Sequence, residues 1–323
     1  GQCAPPEGIG ALTQVVCSWQ RTVALQADGR VACWGRNDFG QGDVPADLSG
    51  VVQVAAGGYH NAALRLDGTV VCWGFNGDGQ TDVPPALGAV RNVACGGYHT
   101  IALGVDGSVK CWGYNDDGQC NVPAGVQLAI DAQGGGFHTA AVKANGTVVC
   151  WGSNAYGQCN IPVNIGSVNK VACGGHHTIA LRSNGTIALW GLNFQGQCGI
   201  PAGLGPVAQV AGGWMHTAVL LQDGSVRSWG WNGEQQCDVP ASLGTAMQVT
   251  AGDQHTAALT VPMSQTCVAD LDGSGTVSGA DLGILLALWG PVTLPTACDF
   301  DGNGTVNGAD LGFLLASWGI CAP

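Results

Sequence analysis

The chain has 323 residues, of which only 10% are charged and 54 are glycine, and its formal net charge is −12. This acidic composition, without a basic stripe, argues against binding to nucleic acid or to anionic membranes, both of which require clustered lysine and arginine. No apolar run approaches the roughly 18 residues of a membrane-spanning helix. Fifteen cysteines without any Cys-x-x-Cys pair are typical of a secreted protein rather than of a zinc site.

A 39-residue repeat occupies the first four-fifths of the chain. Trp-Gly pairs recur at this spacing, at Trp34, Trp73, Trp112, Trp151, Trp190 and Trp229. Histidines recur at the same spacing, at His60, His99, His138, His177, His216 and His255. Each unit also has an Asp-Gly or Asn-Gly pair between two apolar, β-prone runs, which predicts a hairpin. Three or four short strands per unit, the fourth being the Gly-Gln-x-x-Val-Pro tail or an extended edge, predict a β-propeller rather than a solenoid.

Three segments of the third unit show a specific likeness: GGYHTIAL, DGSVKCWG and YNDDGQ. They resemble repeats of the regulator-of-chromosome-condensation superfamily. The short, cysteine-bearing form is similar to crinkly-type plant receptor ectodomains and to bacterial propeller-type β-lactamase inhibitor proteins. The resemblance spans residues 1–261 and implies an all-β, seven-bladed β-propeller.

The strand count predicts that one blade is incomplete at the N-terminus. The strand pair before the turn occurs seven times, and the tail occurs seven times if GQCAPP at residues 1–6 is the first. The Val-x-Cys-Trp-Gly strand occurs only six times. Two explanations stay open. The strand lies upstream in the chain, or a partner chain or neighbouring subunit donates it to the open sheet edge.

The repeated histidines and tryptophans favour structural roles. Six histidines spread around a ring cannot converge on one metal ion, so we expect imidazoles that hydrogen-bond to neighbouring backbone. The tryptophans are expected to pack between blades. His176 is the one histidine outside the 39-residue spacing, and no role is assigned to it. The variable residues after each Trp-Gly pair are expected to form a face that binds a protein or a glycan. No catalytic constellation is present, so the chain is not expected to be an enzyme.

The cysteines favour disulfides whose connectivity the sequence leaves open. Among the repeats, plausible pairs are Cys111–Cys120, Cys72–Cys95 and Cys150–Cys173. Beyond the repeats, Cys267 and Cys321 are positioned to clasp the C-terminal segment, and Cys298 is a candidate for a bond to the propeller.

Two EF-hand-like loops follow Pro262, at residues 270–281 and 299–310, with a 29-residue spacing. Oxygen ligands at positions 1, 3, 5, 7, 9 and 12, with glycine at position 6, are the pattern of a calcium loop. In the first loop these positions are Asp270, Asp272, Ser274, the carbonyl of Thr276, Ser278 and Asp281. In the second loop they are Asp299, Asp301, Asn303, the carbonyl of Thr305, Asn307 and Asp310. We therefore expect two Ca²⁺ sites.

Each loop precedes one helix, LGILLALWG or LGFLLASWG. This duplicated loop–helix arrangement resembles dockerin modules over residues 267–321, which implies a small α-helical, EF-hand-type domain that binds a cohesin-like scaffold. Trp289 and Trp318 belong either to that docking surface or to the closure of the module's core. The expected domains are residues 1–262 and 263–323.

The sequence as a whole predicts a bacterial protein that is secreted and is extracellular or attached to the cell surface. Its expected function is non-catalytic binding: a propeller face recognises a protein or glycan, and a calcium-dependent module attaches it to a scaffold. One alternative is a self-assembling extracellular protein, which would dock to itself through the incomplete blade or the C-terminal module. Another is a protein inhibitor of a hydrolase. No nucleic-acid partner and no direct membrane insertion are expected.

Overall fold

The structure is a computed structural model that describes residues 1–260, 269, 271–272, 276–291, 298–300, 305–316 and 318–320. The chain divides into two compact units, Gly1–Leu259 and Thr260–Pro323. Within the described residues, no helix combines the length and the apolar character needed to cross a membrane.

The first unit is a series of antiparallel sheets in chain order. Three of them are β1 (Leu12–Cys17), β2 (Arg21–Gln26) and β3 (Val31–Gly35); β4 (Val51–Ala56), β5 (His60–Arg65) and β6 (Val70–Gly74); and β7 (Val90–Cys95), β8 (His99–Gly104) and β9 (Val109–Gly113). The next three are β10 (Ala129–Gly134), β11 (His138–Lys143) and β12 (Val148–Gly152); β13 (Val168–Cys173), β14 (His177–Arg182) and β15 (Ile187–Gly191); and β16 (Val207–Gly212), β17 (His216–Leu221) and β18 (Val226–Gly230). The seventh sheet has two strands in the described residues, β19 (Ala246–Ala251) and β20 (Thr256–Thr260).

The register is the same in every three-stranded sheet. His60 pairs with Gly74 and Asn61 pairs with Trp73, and the corresponding residues one unit later pair identically. Because the strands are antiparallel, the loop between the first two strands and the residues after the third strand meet at one end of each sheet. Equivalent positions of successive repeats are therefore brought to the same face of the unit.

The Gly-Gln tails form turns and belong to no sheet, so the predicted fourth strand is not found. The carbonyl of Gln119 accepts hydrogen bonds from Thr139 Oγ1 (2.8 Å) and from the Trp151 indole (2.9 Å). Near the start of the chain, the Gln2 carbonyl accepts the equivalent bonds from the first sheet, from Thr22 Oγ1 (2.9 Å) and the Trp34 indole (2.8 Å). Residues 1–3 thus lie where a repeat tail is predicted.

Apolar clusters fill the space between consecutive sheets. Trp73 is buried against Val23 and Leu25 of the preceding sheet and against Val51 and Val54 of its own sheet. Equivalent clusters surround the other buried tryptophans, at Trp112, Trp151 and Trp190. The prediction that the repeated tryptophans pack between sheets is confirmed for these four.

Each repeated histidine joins its sheet to the next one. His60 Nε2 lies 2.9 Å from Thr100 Oγ1 of the following sheet, and that hydroxyl donates to the Gln80 carbonyl at 2.8 Å. The threonine oxygen therefore accepts from the imidazole N–H. The same contact is made by His99, His138, His177, His216 and His255. The predicted structural role is confirmed, but the partner is a threonine hydroxyl and not the backbone.

The last sheet contacts the first. Gln248 on β19 accepts from Val15 N and donates to Val15 O, both at 2.9 Å. His255 lies 3.1 Å from Thr22 Oγ1, which repeats the histidine–threonine contact found between successive sheets from the second to the seventh. The fold of the first unit is therefore a propeller-like arrangement of repeated sheets in which the two-stranded seventh sheet adjoins the first.

The described residues of the second unit include two short helices, α1 (Gly279–Ala287) and α2 (Gly308–Ala316). Two-residue strands pair across it: β21 (Thr276–Val277) with β24 (Gly319–Ile320), and β22 (Gly290–Pro291) with β23 (Thr305–Val306). Its described core consists of Ala269, Val277, Leu285, Cys298, Val306 and Leu314. Cys298 is buried in this core.

Candidate functional site: an aromatic face

A rigid turn follows each Trp-Gly pair. In the first repeat, Asn37 Oδ1 accepts from Gly42 N (2.6 Å) and Asn37 Nδ2 donates to Asp43 (2.8 Å). The fully buried Gln41 accepts from the N–H of Phe39 at 2.7 Å. In the other repeats the asparagine Oδ1 likewise accepts from a backbone N–H of the tail, at Asn76, Asn115, Asn154, Asn193 and Asn232. The repeated asparagine and glutamine thus fix the backbone, and the residues between them vary.

A Gly-Gly pair three and two residues before His60, His99, His138 and His177 lets neighbouring loops come close together. A Cβ atom on Gly57 would lie 2.3 Å from the His60 ring, and one on Gly58 would lie 2.6 Å from the Gly97 carbonyl. The Gly58 N–H instead donates to that carbonyl at 2.9 Å. Residues that flank these glycines are therefore held at the centre of the same face as the Trp-Gly turns.

Two tryptophans, in the first and sixth repeats, occupy the position where four other repeats have the second glycine. Trp19 and Trp214 lie in edge-to-face contact, with ring centroids 5.3 Å apart. Trp19 also contacts Tyr59 at 4.7 Å and Tyr98 at 5.4 Å. The two indoles connect loops of the first and sixth sheets across the centre of the face.

Eleven rings form one connected network around this pair. They are Trp19, Phe39, Tyr59, Phe75, Tyr98, Tyr114, Phe137, Tyr156, His176, Phe194 and Trp214. We call this set the aromatic face. At its edge, Phe194 is 84% exposed, and Tyr156 and Phe39 are nearly half exposed. The other eight rings are half-buried. A contiguous, partly exposed aromatic surface of this kind marks a candidate interaction site on a folded protein.

Acidic residues outnumber basic ones among the turns of this face. The segments between Trp-Gly and the buried glutamine carry Asp38, Asp78, Asp116, Asp117 and Glu234. They carry one cation, Arg36, which is 2.5 Å from Asp38 and lies over the Tyr59 ring at 5.3 Å. Burial raises the pKa of Tyr114, and the charges of Asp116 and Asp117 raise it further. The face is therefore aromatic and negatively charged.

The sequence interpretation located part of this face. The variable residues after Trp-Gly were expected to form a recognition surface, and they lie together at one end of the sheets. Tyr59, Tyr98 and Phe137 of the Gly-Gly loops were missed, and so was His176. His176 follows these three residues at the 39-residue spacing and contacts Phe137, Tyr156 and Trp214. That spacing was the signal that could have identified it.

A polar cavity of about 370 Å³ lies between the first strands of the sheets. Each of the seven sheets contributes one residue to it at the 39-residue spacing, namely Gln14, Gln53, Asn92, Asp131, Lys170, Gln209 and Gln248. Several of them bond to the next sheet; for example, Gln14 bonds to both N and O of Val54. Asp131 accepts from Val171 N at 2.9 Å, and burial raises its pKa. These hydrogen bonds indicate that such cavity residues hold neighbouring sheets together.

The predicted calcium loops are described only in part. Asp270, Ser274, Asp301 and Asn303 lie outside the described residues. Among those that are described, no three His, Cys, Asp or Glu side chains come together in a way that would hold a metal ion. The Thr276 and Thr305 positions lie in the short strands β21 and β23.

The carboxylate at position 12 of each loop accepts hydrogen bonds from the backbone at the start of that loop. Asp281 is buried and accepts from Leu271 N (2.7 Å), Asp272 N (3.1 Å) and Ser278 N (2.8 Å). Burial raises its pKa, but these backbone donors outweigh burial and the net direction is downward.

The second loop repeats this arrangement. Asp310 accepts from Phe300 N (2.7 Å) and Asn307 N (2.9 Å). Asp299, the first residue of the loop, is half-buried. The two loops therefore share a backbone arrangement 29 residues apart.

The twelve cysteines of the first unit are free thiols in this structure. The pairs Cys111–Cys120, Cys72–Cys95 and Cys150–Cys173, which the sequence made plausible as disulfides, are not bonded in it. Cys267 and Cys321 lie outside the described residues.

Comparison with known families identifies the repeat. The family model described as "Regulator of chromosome condensation (RCC1) repeat" matches residues 12–41, 51–80, 90–119, 129–158, 168–197 and 207–236, more than half of the chain. The chain belongs to the RCC1 repeat family. The predicted resemblance to this superfamily is thereby confirmed. No curated protein sequence matches the chain.

Solved structures share the fold of this RCC1 repeat protein. Prp20p from Saccharomyces cerevisiae is 19% identical, with a TM-score of 0.67 over 77% of this chain and 83% of Prp20p. Human WBSCR16 is 22% identical, with a TM-score of 0.69 over 80% of this chain and 88% of that one. The CRINKLY WD40 ectodomain of the Arabidopsis thaliana receptor kinase ACR4 is 21% identical, with a TM-score of 0.63 over 78% and 94%.

Proposed function

We propose that this RCC1 repeat protein is a non-catalytic binding protein whose aromatic face takes a basic segment of a partner protein. The observation that carries the proposal is the connected network of eleven rings together with the acidic turns of the first, second, third and sixth repeats. The RCC1-type propeller itself indicates a protein-binding role. Among the proteins of similar structure, Prp20p binds Gsp1p and histones, and a structure of Kap60 bound to this yeast protein has been solved.

The chemistry of the face favours a cationic partner over a neutral one. Lysine and arginine side chains are attracted to the faces of tryptophan, tyrosine and phenylalanine rings. The acidic side chains of Asp78, Asp116 and Asp117 add a complementary field, and Arg36 is already engaged by Asp38. Fixed backbone turns present these groups without a large ordering cost on binding.

For the whole chain, we propose a secreted, extracellular or cell-surface adaptor with a seven-bladed ring and a calcium-binding C-terminal unit. Seven successive sheets, with hydrogen bonds from the last to the first, support the blade count. The 29-residue duplication and the matching hydrogen bonds of Asp281 and Asp310 support two equivalent calcium loops. In this proposal the C-terminal unit attaches the protein to a cohesin-like scaffold, and the aromatic face captures the partner.

The face is tested by calorimetric titration of the full chain with two synthetic peptides of equal length, one rich in lysine and arginine and one rich in glutamate. We expect the basic peptide alone to bind, and its affinity to fall as salt rises. Combining Tyr156→Ala with Phe194→Ala should weaken binding by about tenfold or more, since aromatic contacts dominate such interfaces.

The matched control combines Leu66→Ala with Val105→Ala. These residues are also exposed, but they lie at the turns between second and third strands, at the opposite end of the sheets. The control should bind as the parent does. Equal losses in both variants, or equal binding of the two peptides, would refute the proposed site.

A further inference from the structure

Two repeats carry a pair of cysteines nine residues apart, one on the third strand and one in the tail. These are Cys111 with Cys120, and Cys150 with Cys159. Two later repeats keep only the tail cysteine: Cys198 has Leu189 at the strand position, and Cys237 has Ser228. The molecule thus contains paired and unpaired versions of the same arrangement.

The fourth sheet brings its two thiols close together. The side chains of Cys150 and Cys159 lie near enough for each to shift the pKa of the other. Cys150 Sγ lies 3.4 Å from the Gln158 carbonyl, and Cys159 Sγ lies 3.5 Å from the Ser153 carbonyl. Cys150 Sγ therefore contacts the peptide group that joins Gln158 to Cys159.

The same two positions are also close together in the sixth repeat. There burial raises the pKa of Cys237, and the Ser228 hydroxyl is near enough to oppose this rise, although it donates to the Thr217 carbonyl at 3.1 Å. The sulfurs of Cys120, Cys198 and Cys237 lie 3.3–3.4 Å from the carbonyl of the residue after Trp-Gly, as does that of Cys159 at 3.5 Å. The geometry belongs to the repeat and not to one loop.

We propose that Cys150 and Cys159 are a dithiol that oxidises to a disulfide, and that Cys111 and Cys120 form a second pair of the same kind. The oxidant is a small disulfide, R–S–S–R, such as oxidised glutathione. One S–S bond forms between the two cysteines, the S–S bond of the oxidant breaks, and two R–SH molecules leave with the two thiol protons.

Cys159 is the attacking residue in this sequence. It is partly exposed, and its contact with the Cys150 thiol lowers its pKa, whereas that contact and burial raise the pKa of Cys150. The Cys159 thiolate attacks the oxidant and releases one R–S⁻, which takes a proton. Cys150 then loses its proton and attacks Cys159 Sγ, which releases the second R–S⁻.

This assignment replaces the partner that the spacing suggested for Cys150. Cys173 is adjacent to the pair, but its sulfur donates to the Gln133 carbonyl at 3.7 Å and it lies on the neighbouring sheet. A bond to Cys159 closes a single turn, and that turn carries Tyr156, which contacts His176 at 5.0 Å. Oxidation therefore fixes one edge of the aromatic face, whether or not that face binds a protein.

The test is disulfide mapping of the full native chain after exposure to oxidised glutathione. Remaining thiols are trapped with N-ethylmaleimide, and the peptides are weighed with and without reductant. We expect linked peptides for Cys150–Cys159 and Cys111–Cys120, each lighter by two hydrogen atoms. Cys198 and Cys237 should carry either glutathione or the alkylating group. Two trapped thiols at Cys150 and Cys159, or a Cys150–Cys173 link, would overturn the assignment.

Introducing a third cysteine pair by mutation gives a second test of the same geometry. Ser228→Cys places a second thiol in contact with Cys237 and should create a third linked peptide under the same treatment. Cys159→Ser should remove the Cys150–Cys159 peptide and leave the Cys111–Cys120 peptide at its original yield. Ser228→Cys protein that stays unlinked at Cys237 would show that the repeat geometry does not bring these sulfurs to bonding distance.

Discussion

The joint between the first two sheets differs from the other joints of the ring. Elsewhere a neutral histidine contacts a threonine of the next sheet. Between sheets one and two, Arg21 occupies the histidine position and Asn61 the threonine position. Arg21 is 1% exposed and donates to the side chain of Asn61 and to the carbonyls of Gly57, Gly58 and His60.

The residue three positions before the histidine or arginine also differs between the two kinds of contact. The first glycine of the Gly-Gly pair is required where a histidine follows, because a Cβ on Gly57 would meet the His60 ring at 2.3 Å. In the first sheet the equivalent residue is Ser18, and its hydroxyl donates to the Gly57 carbonyl. Ser18, Arg21 and Asn61 therefore form one alternative solution to the same packing problem.

The two kinds of joint also differ in charge. Burial lowers the pKa of Arg21 to about 10, so its guanidinium remains charged at neutral pH. Burial lowers the pKa of the six repeated histidines to about 3 or 4, so they remain neutral. The histidine joints are consequently sensitive to acid, and the arginine joint is not.

The largest expected effect is acid unfolding. An unfolded histidine binds a proton below pH 6.5, whereas the folded ones resist protonation until about pH 3–4, so stability is lost as pH falls through this window. Each histidine contributes about 1.4 kcal/mol per pH unit, and six together approach the entire stability of a typical domain. Urea unfolding followed by circular dichroism at pH 7 and pH 5 measures this. An unchanged midpoint would contradict neutral buried histidines.

Removing the arginine joint should have the next largest effect. Arg21→Ala leaves several buried carbonyls without a donor, and we expect a loss of about 3–5 kcal/mol in the free energy of unfolding. Arg30→Ala is the matched control, because its ion pair with Asp28 is exposed and contributes little. Denaturant titration of both variants at pH 7 makes the comparison. Similar losses would mean that burial of Arg21 does not stabilise the ring.

Alanine substitution at the glycine position should destabilise a histidine contact more than the arginine contact. A Cβ on Gly96 would lie 2.1 Å from the His99 ring and 2.6 Å from the Gly135 carbonyl. Gly96→Ala should therefore cost about 2–4 kcal/mol. Ser18→Ala, at the equivalent position beside Arg21, already has a Cβ and should cost only about 1 kcal/mol for its lost hydrogen bond. Thermal unfolding of both variants tests this, and equal costs would show that the histidine does not impose the glycine.

The smallest effect expected on the first unit is that of chelation. If calcium is bound only by the C-terminal loops, a chelator should reduce the helical signal of α1 and α2 and leave the strand signal of the first unit unchanged. Asp281→Asn with Asp310→Asn should remove the response to added calcium. Simultaneous loss of the helical and strand signals on chelation would contradict an independent calcium-binding unit.

Much of the fold could be predicted because the signals for strands and turns lie within each repeat. The Asp-Gly turns, the apolar runs and the Trp-Gly pairs are local signals, and their 39-residue spacing predicted the repeated sheets and the inter-sheet position of the tryptophans. The part of the aromatic face that follows Trp-Gly was predicted for the same reason. His176 and the two central tryptophans were missed, because their role depends on rings contributed by other repeats.

The sequence by itself determined the repeat, the hairpins, the structural nature of the histidines and the duplication of the C-terminal loops. Only the tertiary structure decided that His60 bonds to Thr100 rather than to backbone, that Trp19 contacts Trp214, and that Cys150 lies against the peptide group before Cys159. The physical reason is range. Turn and strand preferences act between near neighbours in the chain, whereas these contacts depend on how the surfaces of folded sheets meet and which side chains fit between them.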